Sequence, residues 1–175
     1  MNWQIPADDA LDTLIRQPRL GLVTDMDGTI SPVVGDPFGA QVTPRARDLL
    51  AALKAHLALV AVVSGRSAAD VRERVGVPGL VAVGNHGLEI WADGALRLAP
   101  EGDAYRPAIQ AAHRALGPLV LDGMVIQDKR ITLSVHYRNV ADPDAVEAVF
   151  EPIIQAVADE NGLGFFRGRR VFELR

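Results

Sequence analysis

The 175-residue sequence contains no cysteine. Disulfides and thiolate metal sites are therefore excluded, and a reducing compartment fits the composition. Positive charge is not in excess either: 18 Lys and Arg stand against 22 Asp and Glu, a net charge of −4. Affinity for nucleic acid rests largely on cations that neutralise phosphates, so this balance argues against a nucleic-acid partner. A small anionic ligand stays in view, because a local pocket can be positive on an acidic chain. Long apolar runs are missing. The longest, residues 57–63, is far short of the roughly 20 residues of a membrane-spanning helix. The opening MNWQIPADDALD is acidic and lacks the apolar centre of a signal peptide. No internal repeat, low-complexity segment or G-x-x-x-x-G-K-[ST] loop occurs. These absences predict a soluble cytoplasmic protein with neither a membrane nor a nucleic-acid partner.

What is present is an ordinary globular mix, 49% apolar and 23% charged. The length suits one medium domain, or a small core with an inserted subdomain. Residues 7–17 predict a short helix with Leu11, Leu14 and Ile15 on one side. LGLVTD, residues 20–25, is a short apolar run ending on a carboxylate and predicts a buried parallel strand. DGTISPVVGDPFGA is a Gly- and Pro-rich loop. Thr43 as N-cap and Pro44 as first helical residue open a helix over ARDLLAALKAH. The strand LALVAVV stops at Ser64-Gly65-Arg66, Ser67 caps a helix over AADVRERVG, and the strand LVAVG ends at Asn85-His86-Gly87. Strand and helix thus alternate over residues 20–84, which predicts an α/β fold with a parallel sheet and right-handed crossovers. Ligands of such sheets bind beyond the C-terminal strand ends. Three polar clusters, at Asp25–Thr29, 64–66 and Asn85–Gly87, occupy three successive strand ends and so converge on one crevice.

After residue 87 the pattern changes. GLEIW-ADG-ALRL predicts a hairpin turning at Asp93-Gly94. A helix follows over about 104–116, and MVIQDKR and ITLSVHYR alternate like antiparallel strands. Asp142-Pro143 begins a helix to about Glu160, with a kink at Pro152, and GLGFFRGRRVFELR closes the chain as one or two strands. The expected division is a core over 1–86, an inserted α+β cap over 87–168, and a return to the core over 169–175.

The most informative string is LVTDMDGTISP. Asp25 and Asp27 stand two apart at a strand end and precede Gly28 and Thr29. Asp-Gly alone favours a turn, but D-x-D-G-[ST]-[ILV] arises by chance in only about one such chain in a thousand at average residue usage. Gly28 lets the backbone approach a ligand closely. Ser64, Gly65 and the following helix N-terminus offer a hydroxyl and main-chain N–H groups to an anion.

LVTDMDGTISP resembles motif I of phosphatases of the haloacid dehalogenase (HAD) superfamily, and Ser64 matches their motif II. SGR followed by GNHGLE, DKRITLSVHYR and GRRVFELR is similar to the trehalose-6-phosphate phosphatases, along essentially the whole chain. The resemblance implies an HAD-like Rossmannoid parallel sheet, incomplete here, with an inserted α+β cap. It implies Asp25 as a nucleophile that becomes an aspartyl-phosphate and Asp27 as the acid/base. Asp25 and Asp27 would also hold Mg²⁺, the latter through its carbonyl. Gly28, Thr29, Ser64 and Gly65 would hold phosphate. Arg66, Asn85, His86, Lys129, His136, Arg138 and Arg169 would contact a sugar phosphate. Gln127 departs from the family, standing where a Glu is expected. A motif III Lys and an acidic motif IV of the type GDDxTD are absent, so the chain reads as C-terminally truncated, with little or no activity by itself and an exposed LGLVTD edge. Hydrolysis of trehalose 6-phosphate is the leading expectation. The alternatives are another capped HAD sugar phosphatase, acting on sucrose phosphate or a hexose phosphate, and a non-catalytic sugar-phosphate-binding remnant.

Overall fold

The computed structural model describes residues 9–100 and 102–175. Helix α1 (Asp9–Ile15) comes first. Positions 7 and 8 of the predicted helix lie outside the described residues, and Leu14 and Ile15 are exposed instead of facing a core. Then β1 (Gly21–Asp25), α2 (Pro44–His56), β2 (Leu59–Val63), α3 (Ala68–Val75) and β3 (Val81–Gly84) follow in the predicted alternation. The helices begin where the cap chemistry demands. Thr43 Oγ1 accepts from Ala46 N at 3.2 Å and Ser67 Oγ from Asp70 N at 3.2 Å, each satisfying a donor with no partner inside the helix.

β1, β2 and β3 pair in parallel, with Asp25 opposite Val63 and Val63 opposite Val83. The strand-end clusters therefore lie side by side. Val60 and Val62 project from one face of the sheet onto Leu50 of α2 and Val71 and Val75 of α3, forming one apolar core. β1 is an edge strand, and Val23 on its other face is 61% exposed. The reading of LGLVTD as a strand buried on both faces is thus corrected, whereas the expectation of an exposed LGLVTD edge agrees with its place in the sheet. An apolar run signals strand formation but does not reveal whether both faces are covered.

β4 (Glu89–Ala92) and β5 (Ala95–Leu98) form the predicted hairpin. Asp93 and Gly94 both have positive φ, 53° and 78°, as a two-residue primed turn requires. β4 pairs antiparallel with β3, so the first sheet runs β1-β2-β3-β4-β5. The expected division put this hairpin in the insert from residue 87; its strands instead extend the core sheet, because β3 would otherwise present an unpaired edge.

The second unit contains α4 (Arg106–Leu116), β6 (Val125–Asp128), β7 (Leu133–His136), α5 (Pro143–Glu160), β8 (Phe165–Gly168) and β9 (Val171–Leu174). Its antiparallel sheet has the order β6-β7-β9-β8. The expected return of 169–175 to the core does not occur: β9 sits inside this second sheet, between β7 and β8. Strand alternation separates the two faces. Leu133, Val135, Phe172 and Leu174 pack on Ile109, Ala112 and Leu116 of α4 and Phe150 and Ile154 of α5. Ser134, His136 and Glu173 project from the other face, with Gln127 beside Ser134 and Ser134 beside Glu173. α5 runs through Pro152 without a break. An interior proline costs about 3 kcal/mol, but burying Phe150, Ile154 and Val157, each worth roughly 1.5–3 kcal/mol, outweighs it. No described helix is long and apolar enough to cross a membrane.

Candidate active site

Beyond the end of β1 the chain turns at once. Met26 O accepts from the N–H groups of Ile30 (3.1 Å) and Ser31 (3.0 Å), and Gly28 N donates to Ser31 O at 2.7 Å. Gly28 has φ +91°, which a residue with a Cβ rarely adopts. This turn projects two carboxylates differently. Asp25 Oδ2 accepts from Thr29 Oγ1 at 3.3 Å and is otherwise open. Asp27 is held by a forked guanidinium: Arg66 Nε donates to Oδ2 at 2.7 Å and Nη2 to Oδ1 at 2.9 Å.

Ser64, at the end of β2, is buried; its Oγ accepts from Arg66 N at 3.2 Å. The helix N-terminus behind it is not open to an anion as the sequence suggested. Glu89 Oε2 accepts from Ala68 N at 2.7 Å and Ser67 from Asp70 N, so a carboxylate of the neighbouring strand already fills that position. Asn85 and His86 carry left-handed backbones, φ 48° and 58°. The Asn85 side chain is fully buried and joins the two sheets, donating to Lys129 O at 3.3 Å and accepting from Thr132 Oγ1 at 2.7 Å. His86 Nε2 lies 2.5 Å from Glu173 Oε2.

The polar face of the second sheet closes over these strand ends and leaves a cavity of about 260 Å³, just under the roughly 300–1,000 Å³ of small-molecule sites. Asp27, Ser64, Gly65 and Arg66 line it from below; Gln127, Lys129, His136, Arg138, Arg169 and Glu173 from above; Val33, Val34 and Pro37 from the loop after β1. Asp25, Gly28, Thr29, Asn85 and His86 stand outside this wall. Of the residues singled out in the sequence, eight thus share one cavity. Glu173 and the 33–37 loop were missed. Alternation around Phe172 and Leu174 would have put Glu173 on the opposite face, but no sequence signal says which face meets the core.

Charge in the cavity is unevenly compensated. Arg66 pairs with Asp27 and Asp70, and Lys129 with Glu173 at 3.4 Å. Arg138 and Arg169 have no carboxylate partner among the described residues; Arg138 donates to the carbonyls of Val34 (2.7 Å) and Arg169 (3.1 Å). The excess is cationic and suits an anion. Burial opposes ionisation of Glu173, yet the His86 hydrogen bond and the Lys129 charge hold it down at about 2. Burial, and then Lys129, push His136 down to about 4, so at neutral pH it presents an uncharged ring near Gln127. For Mg²⁺, this arrangement offers the Asp25 carboxylate and main-chain oxygens. Among the described residues no group of three or more His, Asp or Glu side chains could hold a metal, and Arg66 occupies both Asp27 oxygens. That donor set fits Mg²⁺ as an ion that keeps several waters and shares its shell with substrate phosphate.

The family model for trehalose-phosphatase matches residues 23–175. A trehalose-phosphate phosphatase of Mycobacterium leprae (strain TN) is 37% identical over 179 residues, covering 95% of this chain and 40% of that protein. One of Mycobacterium marinum (strain ATCC BAA-535 / M) is 36% identical over 175 residues, covering 95% and 44%. The chain therefore spans about two fifths of the length of these curated relatives. Among solved structures, the C-terminal domain of a C. albicans trehalose-6-phosphate phosphatase superposes with a TM-score of 0.75 at 23% identity, covering 94% of this chain and 59% of that one. This likeness shows the HAD-like fold. With a family model matched from the middle of β1 to the final residue, the chain belongs to the trehalose-phosphatase family.

Proposed function

We propose that the protein hydrolyses trehalose 6-phosphate to trehalose and phosphate. The observation that carries this reading is the shared cavity, in which Asp27 from the β1 end faces Lys129, His136, Arg138 and Arg169 from the second sheet. An Asp25 oxygen attacks phosphorus, the bond from phosphorus to the sugar oxygen breaks, and Asp27, protonated for this step on a lone pair that the Arg66 fork leaves free, gives that oxygen its proton. Asp27 then takes a proton from water, whose oxygen displaces Asp25 from phosphorus and regenerates the carboxylate. Ser64, Gly65, Gly28 and Thr29 are assigned to the phosphoryl group. Lys129, Arg138 and Arg169 supply positive charge, and His136 a neutral hydrogen-bonding ring. Asn85 and His86 act from behind the wall, by holding the two sheets together. Mg²⁺ is assigned to the Asp25 carboxylate and the Asp27 carbonyl, where it would offset repulsion between carboxylate and phosphate. The second sheet serves as the cap that selects the sugar. A cytoplasmic location belongs to the same reading, supported by the absence of cysteine.

The test is phosphate release from trehalose 6-phosphate with Mg²⁺, beside sucrose and hexose phosphates. D25N should lower turnover about a thousandfold or more; equal turnover by D25N would remove the basis of the mechanism. The lack of an acidic cluster among the described residues favours a second reading, sugar-phosphate binding without turnover. Calorimetric binding of trehalose 6-phosphate with no phosphate released would establish it.

A further inference from the structure

Arg66 was expected to touch substrate, and it lines the cavity, but four of its five N–H donors are already committed. Nε and Nη2 go to Asp27, while Nη1 donates to Pro37 O at 2.7 Å and to Asp70 Oδ2 at 3.1 Å. Asp70 has a second cation, Arg74, whose Nε donates to Oδ1 at 2.8 Å. Arg74 in turn reaches back to Phe38 O and Ala40 O in the loop after β1. Residues 66, 70 and 74 are four apart on α3 and its entry, so they stack along one side of the helix. The result is an alternating ladder, Asp27–Arg66–Asp70–Arg74, anchored at its far end on the backbone.

We propose that Asp70 is a positioning residue for the Asp27 carboxylate, acting through Arg66. This rests on the assignment of Asp27 as the group that exchanges protons with the leaving oxygen and water. A carboxylate gripped at both oxygens cannot rotate about its Cβ–Cγ bond, and a planar fork fixes its plane as well as its place. The fork itself needs a fixed direction. Two of the contacts that hold Arg66, Asp27 and the Pro37 carbonyl, belong to the segment it orients. Asp70, on a capped helix packed into the core, is the independent reference. Asp70 does not line the cavity and touches no substrate there. A merely structural ladder that ties the 37–40 loop to α3 would instead contribute stability, to which Arg74 adds as much as Asp70.

The test has two arms. In the 175-residue chain, the Arg66 Nε–Hε resonance should be slow to exchange with water. D70N should shift it and speed its exchange, as D27N does more strongly; an unchanged signal in D70N overturns the inference whatever the turnover. In kinetics, D70N should lower kcat about tenfold with KM within about twofold, and R66K, which keeps the charge but not the fork, about a hundredfold. R74Q should alter thermal stability more than kcat. Unchanged kcat in D70N, or kcat and KM that follow the melting temperature across all three variants, also overturns it. Absence of turnover in the unmodified protein instead indicts the proposed function, since the Hε signal reports the ladder without catalysis.

Discussion

Lys129 Nζ, on the second sheet's side, donates at 2.7 Å to the main-chain carbonyl of Gly65, at the end of a strand of the first. The ammonium is nearly buried, and burial lowers its proton affinity while Glu173 opposes that. Lys129 therefore both lines the cavity and joins its two walls.

Replacing Lys129 by Met should destabilise the fold by about 3 kcal/mol, because the half-buried Glu173 is left with less compensation. Urea denaturation should show this as a lower midpoint. K129M/E173Q should recover part of the loss, since the double variant leaves neither charge unpaired.

Glu173 gives a pH signature. Its folded-state pKa of about 2 lies below the ordinary 4.5. Its stabilisation is thus complete above pH 4.5 and is lost as pH falls from 4.5 towards 2. E173Q should cost on the order of 2–3 kcal/mol at pH 7, and the cost should vanish near pH 2. Denaturation of both proteins across this range measures it; a constant difference would contradict the assignment.

His136 acts in a higher window. Its pKa of about 4 lies below the ordinary 6.5, lowered by burial, Lys129, Arg138 and Arg66 against the opposing Glu173. Between pH 6.5 and 4 the unfolded chain takes up a proton that the folded one refuses, so stability falls with pH in that interval. H136Q, which never charges, should gain on the unmodified protein by on the order of 2–3 kcal/mol between pH 7 and 4. Paired melting curves at the two pH values suffice.

Gly84 should tolerate no side chain. A Cβ there would lie 2.0 Å from Ala68 N and 2.6 Å from Ser67 C, both backbone atoms that cannot rotate away. G84A should destabilise the protein by about 3 kcal/mol or more. G94A, in the hairpin turn where nothing lies within 4 Å of the added carbon, should cost only about 1 kcal/mol for its positive φ.

Much of this was legible in one dimension because it depends on local chemistry. The N-caps Thr43, Ser67 and Asp142, the Asp93-Gly94 turn and the alternation of β7 follow from side chains acting on neighbouring backbone. The placing of three strand ends together follows from the handedness of parallel crossovers. Sheet membership was not legible. The β4–β5 hairpin could close on itself anywhere, and β9 could pair in either sheet, because strand pairing is decided by which edges lie free in space. Burial of β1 failed for a similar reason, since an apolar run is equally apolar with one face covered or none.

The sequence by itself determined which groups are available: two carboxylates after an apolar strand, a Ser-Gly-Arg after the next, and basic residues on alternating strands. Tertiary structure alone decided how those groups are paired. Arg66 forks onto Asp27, and Glu89 takes a main-chain donor of the helix terminus that looked open. Lys129 and Glu173, 44 residues apart, also neutralise each other. Hydrogen bonds and charge pairs act over a few ångströms of space, whatever the separation along the chain.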